Sequence, residues 1–142
     1  MEPHTPATAE EVANVLRKLL ATTQLERMPK HPRRRDILLA LLALSLKRRY
    51  PYTELELNDT LKDSLASYAT KVDHVTCRRY MVDLGFLRRD RAGTRYFLNF
   101  PKLEETLAEE VFEQAPALVQ RVLAEQRAEA RERAERRRQH NL

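Results

Sequence analysis

The sequence is poor in the residues that mark several classes of protein. Its 142 residues include one cysteine, two glycines and no tryptophan, and aromatic residues make up 6%. A single cysteine excludes an internal disulfide and is typical of a protein kept in a reducing compartment. No apolar run reaches the length of a membrane span, and the N-terminus lacks the basic-then-apolar pattern of a signal peptide. We therefore expect a cytoplasmic protein with no membrane partner.

Scarce glycine, together with abundant alanine, leucine, glutamate and arginine, predicts a mainly α-helical chain. The length suits one modest hydrophobic core with flanking helices. We divide the chain into an N-terminal amphipathic helix at 1–28, a central domain at 29–100 and a C-terminal helical extension at 101–142.

The formal net charge is +5, and the positive charge lies in the centre of the chain. Segments 28–52 and 70–101 carry net charges of +6 and +4, whereas the intervening segment 53–69 carries −3. A local basic excess of this kind favours polyanions as partners and speeds the encounter with them.

Apolar spacing predicts three helices before residue 70. The first begins at Thr8, and Pro29 and Pro32 require that it end by Met28. The second runs from about Arg33 to Arg48 and is apolar around most of its circumference, which indicates a central, buried helix. The third opens with a capping box formed by Thr53 and Glu56. Its predicted inner face is Leu55, Leu57, Leu61 and Leu65.

The central stretch 73–97 has the pattern of a helix, a glycine stop and a basic hairpin. Asp73 suits the N-cap, because its carboxylate can accept hydrogen bonds from the unpaired amides of the first turn. Gly85 ends the helix where a left-handed residue is needed. A turn at 90–93 between two short apolar segments predicts a β-hairpin, and segment 50–52 is a candidate strand to pair with it. The predicted apolar face of the helix is Cys77, Tyr80, Met81 and Leu84.

The C-terminal extension is predicted to form a fifth helix that Pro116 breaks or restarts. One apolar stripe is Leu103, Leu107 and Val111, and a second is Leu118, Val119, Val122 and Leu123. Glutamates at 104, 105, 109, 110 and 113 form an acidic face. Beyond Glu125 the composition suits either a solvated helix or a frayed end.

The order helix, helix, turn, helix, hairpin is that of a winged helix-turn-helix. We therefore predict a mainly α fold with a small β-hairpin, in which a winged helix-turn-helix core carries extra N- and C-terminal helices. Helix 73–84 would enter the major groove of DNA, and the wing at 86–98 would contact the backbone or the minor groove. The candidate base-reading residues are His74, Val75, Arg78 and Arg79. The candidate wing contacts are Arg88, Arg89, Arg91 and Arg95.

The arginines on the two helices, at 78–79 and at 33–35, also have a structural interpretation. Arg78 and Arg79 are alternatively partners of acidic neighbours that hold the domain together. Arg33, Arg34 and Arg35 stand at a helix N-terminus, where the helix dipole disfavours cations. They therefore need either acidic neighbours or an external anion, and we predict that they add phosphate contacts.

The stretch from Met28 to Leu98 also carries a distinctive set of residues. They are Pro29 and Lys30 before Arg33-Arg34-Arg35, then Tyr52-Thr53-Glu54 with Glu56 and Asn58, then Asp73, Arg78-Arg79, Val82-Asp83, Gly85, Leu87, Arg89, Gly93 and Tyr96. In these residues the stretch resembles family 2087 of the domains of unknown function, found in bacterial proteins and at the ends of some transcriptional regulators. Cys77 stands where leucine is expected, and it keeps a small apolar group on the core side. The resemblance implies a winged-helix-like regulator domain, but the family has no assigned reaction or ligand.

The histidines and the cysteine do not form a metal motif. His74 and Cys77 are three residues apart, but a closed zinc site usually needs four ligands. A surface histidine and a core cysteine are the favoured roles. His4, His31 and His140 show no ligand spacing. Because no phosphate loop, nucleophile elbow or paired buried carboxylate is visible, we expect no enzymatic activity, metal or cofactor.

The leading hypothesis is a DNA-binding transcriptional regulator. It would bind double-stranded DNA as a homodimer through its terminal helices, although these helices could instead cap only their own core. The alternative is a protein-interaction adaptor on the same fold, docking through the acidic 104–113 face or the long C-terminal helix. RNA is a third option, since basic patches do not distinguish RNA from DNA, but few aromatic residues look available to stack on bases.

Overall fold

The computed structural model describes residues 5–21 and 25–141, which form six helices and one β-hairpin. The helices are α1 (Ala9–Leu19), α2 (Pro32–Ala43), α3 (Glu54–Ser67), α4 (His74–Asp83), α5 (Phe100–Thr106) and α6 (Glu109–His140). Strands β1 (Leu87–Arg89) and β2 (Tyr96–Leu98) pair antiparallel. The predicted mainly α fold with a small hairpin is confirmed, and the order α2, α3, α4, β1, β2 is consistent with a winged helix-turn-helix core. His4 and residues 22–24 of the first predicted segment lie outside the described residues.

Helices α1 and α6 bury their apolar stripes against the rest of the same chain. The hydroxyl of Thr8 caps α1 by accepting a hydrogen bond of 3.1 Å from the Glu11 N–H, in agreement with the predicted start of the helix at Thr8. Arg17 joins the two helices through a bond of 2.9 Å between its Nε and Glu125. The buried residues of this pair are Val12, Ala13, Val15 and Leu16 on α1 and Val111, Ala115, Leu118, Val119 and Val122 on α6.

Helix α2 is the central element, because every residue from 37 to 43 is buried. It ends at Ala43, so the prediction that it extends to Arg48 is wrong. Hydrogen bonds outside the helix turn the chain: the Leu46 N–H donates to the Ala43 carbonyl at 3.0 Å, and the Lys47 N–H donates to the Tyr52 hydroxyl at 2.8 Å. The corner closes at Arg49, whose φ is +61°.

The predicted caps of α3 and α4 are confirmed, but their predicted inner faces are only partly right. Thr53 and Glu56 form a complete capping box, and Asp73 accepts from the Thr76 N–H at 3.1 Å. Leu55 is 71% exposed, because it lies two residues, or about 200°, from the buried Leu57. Tyr80 is 36% exposed and is not part of the core. The residues buried on these faces are Leu57, Leu61, Leu65, Cys77 and Met81.

The C-terminal extension breaks at Leu107 and not at Pro116, so that prediction is wrong. Ala7, before α1, forms an isolated β-bridge with Leu107: its N–H donates to the Thr106 carbonyl, and its carbonyl accepts from the Ala108 N–H, both at 2.8 Å. Helix α6 then runs through Pro116, which lies on the exposed side. Solvent there can reach the carbonyl that proline leaves without an N–H partner.

Candidate nucleic-acid interface

The hairpin is attached to the end of α4 by one buried side chain and three hydrogen bonds. Gly85 has a φ of +86°, which a side-chain-bearing residue rarely adopts, and it turns the chain out of the helix as predicted. Phe86 follows with no exposed surface, and its N–H donates to the Met81 carbonyl at 2.8 Å. Asn99 closes the other end, because its backbone and side-chain nitrogens donate to the Phe86 and Gly85 carbonyls at 2.9 and 2.7 Å. The wing is therefore held rigidly against the helix.

The wing has a third strand-like partner and a stable turn. Tyr52 and Tyr96 exchange two backbone hydrogen bonds of 2.9 Å, which confirms the predicted pairing of segment 50–52 with the hairpin. At the tip, the Asp90 carboxylate accepts from the Thr94 N–H at 2.7 Å and from its hydroxyl at 2.9 Å. Burial is the largest single influence on the pKa of the Asp90 carboxyl and raises it, but the hydrogen bonds from the Arg95 N–H and from Thr94 together lower that pKa. The turn is therefore closed by hydrogen bonds within the hairpin itself.

Of the predicted base-reading residues, three are partly buried and only Arg79 is exposed. His74 and Val75 are half-buried, and the His74 Nδ1 lies 3.8 Å from the Asp73 carboxylate. The hydrogen bond from the Thr76 N–H is the largest cause of a lowered pKa at Asp73, so this carboxylate keeps its charge as the cap of α4. Arg79 is exposed and has no ion pair with any carboxylate of the described chain. It is the most accessible cation of the predicted recognition helix.

Arg78 turns towards α3 instead. Its guanidinium donates to the Asn58 side-chain oxygen and lies 3.2 Å from the Glu54 carboxylate, and its side chain is only 15% exposed. Both partners belong to α3 and lie 20 and 24 positions earlier in the chain. These contacts connect α4 to α3.

The wing arginines are exposed and make no ion pair with a carboxylate in the described residues. These residues are Arg88, Arg89, Arg91 and Arg95. The Arg89 guanidinium donates to the Gly93 carbonyl at 3.2 Å and lies 5.1 Å from the Tyr96 ring centre. The Asp90 carboxylate of the same hairpin bonds Thr94 and the Arg95 backbone N–H, not a guanidinium. The pKa of Glu56 is lowered first by the Tyr50 hydroxyl, then by Thr53, and last by the charge of Arg95. This part of the surface is therefore strongly cationic.

The arginine run at the start of α2 has acidic neighbours at two of its three positions. Arg33 forms two bonds with the Glu11 carboxylate, of 2.8 and 2.9 Å, and this pair lowers the pKa of Glu11. Arg35 bonds Asp36 at 3.0 Å. Only Arg34 has no carboxylate partner in the described part of the chain, so acidic neighbours offset two of the cations that the helix dipole disfavours. A DNA contact by these three residues stays a prediction.

The structure places two further cations beside the arginines of the wing. Arg48 and Arg49 lie at the corner after α2 and line a groove with Arg88 and Arg89. The sequence contains a basic run at 47–49, but the predicted helix to Arg48 would place that run at a helix end and not at a corner beside the wing. Arg49 holds a left-handed backbone that costs a side-chain-bearing residue about 1–2 kcal/mol.

Other candidate features have ordinary structural roles. Cys77 is fully buried, and burial, aided by the charge of Asp73, raises the pKa of its thiol to about 12. Within residues 5–21 and 25–141, no three His, Cys, Asp or Glu side chains are grouped closely enough to hold a metal ion. None of the described helices combines the length and the apolar character that crossing a bilayer requires.

Comparison with known proteins gives one match. The model of the family described as "uncharacterized protein conserved in bacteria (DUF2087)" matches residues 24–98, a region that contains α2, α3, α4 and the wing. No curated protein and no solved structure matches the chain significantly. The matched region covers just over half of the sequence and includes the elements that carry the exposed cations. The chain belongs to the DUF2087 family.

Proposed function

We propose that this protein is a DNA-binding transcriptional regulator without enzymatic activity, in which α4 and the wing contact double-stranded DNA. Arg79 would lie in the major groove with the half-buried His74 and Val75 beside it. The wing arginines would contact phosphates or the minor groove. Arg34 would add a phosphate contact at the start of α2.

One observation carries this proposal. Five arginines on two consecutive elements, α4 and the wing, are exposed and lack a carboxylate partner among the described residues, whereas Arg17, Arg33, Arg35 and Arg78 each have one. Unpaired cations repel one another, so a surface that gathers them suits a polyanion. The five are Arg79, Arg88, Arg89, Arg91 and Arg95.

The adaptor alternative rests on a different surface. The acidic face at 104–113 is exposed, although Glu110 already accepts a bond of 2.8 Å from the Ala9 N–H. Had the terminal helices covered the wing and Arg79, the adaptor would be the better hypothesis. These helices pack against α2 and each other and leave the cations open, which favours DNA.

The proposal is tested by fluorescence-anisotropy titration of the full chain with a labelled random-sequence duplex across a salt series. We expect a Kd in the micromolar range at low salt that rises steeply with salt, because each phosphate contact releases condensed counterions. A single-stranded RNA of equal charge is titrated alongside to test the alternative that the protein binds RNA. A folded protein that binds neither nucleic acid at low salt would contradict the proposal and leave the adaptor.

The proposed homodimer needs a surface other than the apolar stripes, since these are buried within one chain. The remaining terminal surface is the mostly exposed end of α6 from residue 124 to 140. We expect chromatography with light scattering at tens of micromolar protein to give twice the chain mass of 16.7 kDa. A monomer under these conditions would remove the homodimer and leave the DNA-binding proposal to its own test.

A further inference from the structure

A groove beside the wing brings together four arginines from two separate parts of the chain. It has a volume of about 440 Å³ and lies between the corner after α2 and strand β1. Its cations are Arg48, Arg49, Arg88 and Arg89, and its apolar lining includes Phe97 and Phe100. A larger groove of about 560 Å³ between α3 and α6 has Asp63 as its one charged lining residue, so it does not suit an anion.

The one acidic residue of the arginine groove is already engaged. Asp90 lines the groove, but its carboxylate accepts hydrogen bonds from the Thr94 N–H and hydroxyl and from the Arg95 N–H, at 2.7, 2.9 and 3.2 Å. Four arginines and one aspartate leave a net charge of +3 around a small volume. Nothing among the described residues neutralises these guanidinium groups, so an anion is the complementary ligand.

Two of the four guanidinium groups are held in place by aromatic rings. Arg48 lies 3.9 Å from the ring centre of Phe100, and Arg89 lies 5.1 Å from that of Tyr96. An arginine that lies over an aromatic ring keeps the N–H groups at its edge available for planar, two-pronged bonds to phosphate oxygens. Arg89 uses one of its N–H groups for the Gly93 carbonyl, and the others are available. Arg49 beside them keeps its left-handed backbone, a conformation that persists only where the surroundings determine it.

We propose that this groove binds phosphate groups of the DNA backbone, next to the stretch of duplex that the wing contacts. Arg48 and Arg49 would then add two phosphate contacts that lie outside the recognition helix and the hairpin. This inference rests on the proposed DNA binding, because the backbone reaches the groove only if the wing lies on the duplex. The groove would extend the footprint without reading sequence.

The test compares wild type with the variant Arg48→Ala with Arg49→Gly, since glycine accepts the left-handed backbone. Anisotropy titrations across a salt series should give about fivefold weaker DNA binding and a salt slope smaller by about 2. The control variant is Arg127→Ala with Arg131→Ala, which removes two exposed arginines of α6 without an ion pair in the described chain. Because these residues lie on the proposed dimer surface, light scattering first establishes that the control keeps the oligomeric state of wild type. A second variant, Arg48→Lys with Arg49→Lys, should keep the salt slope but weaken binding through loss of the planar fork.

The outcomes separate the groove from the wing. DNA affinity that is equal to wild type in both groove variants overturns this inference and leaves the proposed function intact. Wild type that binds no duplex at low salt overturns the proposed function and this inference with it.

Pyrophosphate is titrated separately at constant ionic strength. If it binds wild type but not the alanine–glycine variant, while that variant keeps full DNA affinity, the groove takes free phosphates and the backbone assignment is wrong. Thermal melts establish that each variant is folded. If the variant Arg48→Ala with Arg49→Gly is unfolded, the test rests on the variant Arg48→Lys with Arg49→Lys.

Discussion

Replacing Arg88, Arg91 and Arg95 together with alanine is expected to weaken duplex DNA binding at least about tenfold near 100 mM salt. The slope of log affinity against log salt should fall by about 3, because each lost phosphate contact removes about one unit. The three side chains are exposed and have no ion pair in the described residues, so their removal should leave the folded protein nearly as stable as before. The measurement is the anisotropy salt series.

The matched control removes the same charge from a different place. The variant Arg127→Ala, Arg131→Ala, Arg137→Ala also loses three exposed arginines that lack an ion pair in the described chain, but from α6. Since this end of α6 is the proposed dimer surface, light scattering first establishes that the variant keeps the oligomeric state of wild type. Because glutamates alternate with arginines along that helix, its local field is weaker, and we expect less than about a threefold change in affinity. An equal loss in both triple variants would mean that total charge, and not the wing, attracts DNA.

Single substitutions at Arg78 and Arg79 should have different effects: Arg78→Ala on stability and Arg79→Ala on DNA sequence preference. Arg78→Ala is expected to lower the free energy of unfolding by about 2 kcal/mol, since the charged hydrogen bond to Asn58 is lost from a side chain only 15% exposed. The contact with Glu54 contributes little, because that carboxylate is 61% exposed. Arg79→Ala should leave stability within about 0.5 kcal/mol and reduce the preference for a selected DNA sequence.

Chemical denaturation monitored by circular dichroism measures the first effect, and anisotropy with selected and random duplexes measures the second. Arg78→Lys keeps the charge without the planar fork and should recover only part of the lost stability. If Arg78→Ala is as stable as wild type, its contacts with α3 are not structural. If Arg79→Ala binds both duplexes as wild type does, the proposed recognition helix does not read bases.

Short-range features were predictable because the groups that form them lie close in the sequence. The Thr53–Glu56 capping box, the Asp73 cap and the stop at Gly85 each depend on a few neighbouring residues, and all three are present. The hairpin with its Asp90 turn follows from the same local rules. Sequence patterns therefore sufficed for the elements that form the core and for their order.

The two helix boundaries were missed because groups outside the helices bond the backbone there, whereas the error at Leu55 was local, since its helical position faces away from Leu57. The end of α2 depends on Tyr52, which accepts from the Lys47 N–H, and the break before α6 depends on Ala7, which pairs with Leu107 a hundred residues away. Pro116 remained in a helix because it happens to face solvent. Periodicity does not show which backbone groups a remote segment will satisfy, so these boundaries could not be read from the pattern.

The composition and local patterns by themselves determined that the chain is helical, that it carries a hairpin after its fourth helix, and that its positive charge is central. Only the tertiary structure decided which arginines are accessible. It paired Arg33 with Glu11 and Arg78 with Asn58, and it brought the Arg48–Arg49 corner to the wing. The physical reason is that an arginine has the same charge wherever it lies, while its availability to a ligand depends on the carboxylates that folding places beside it.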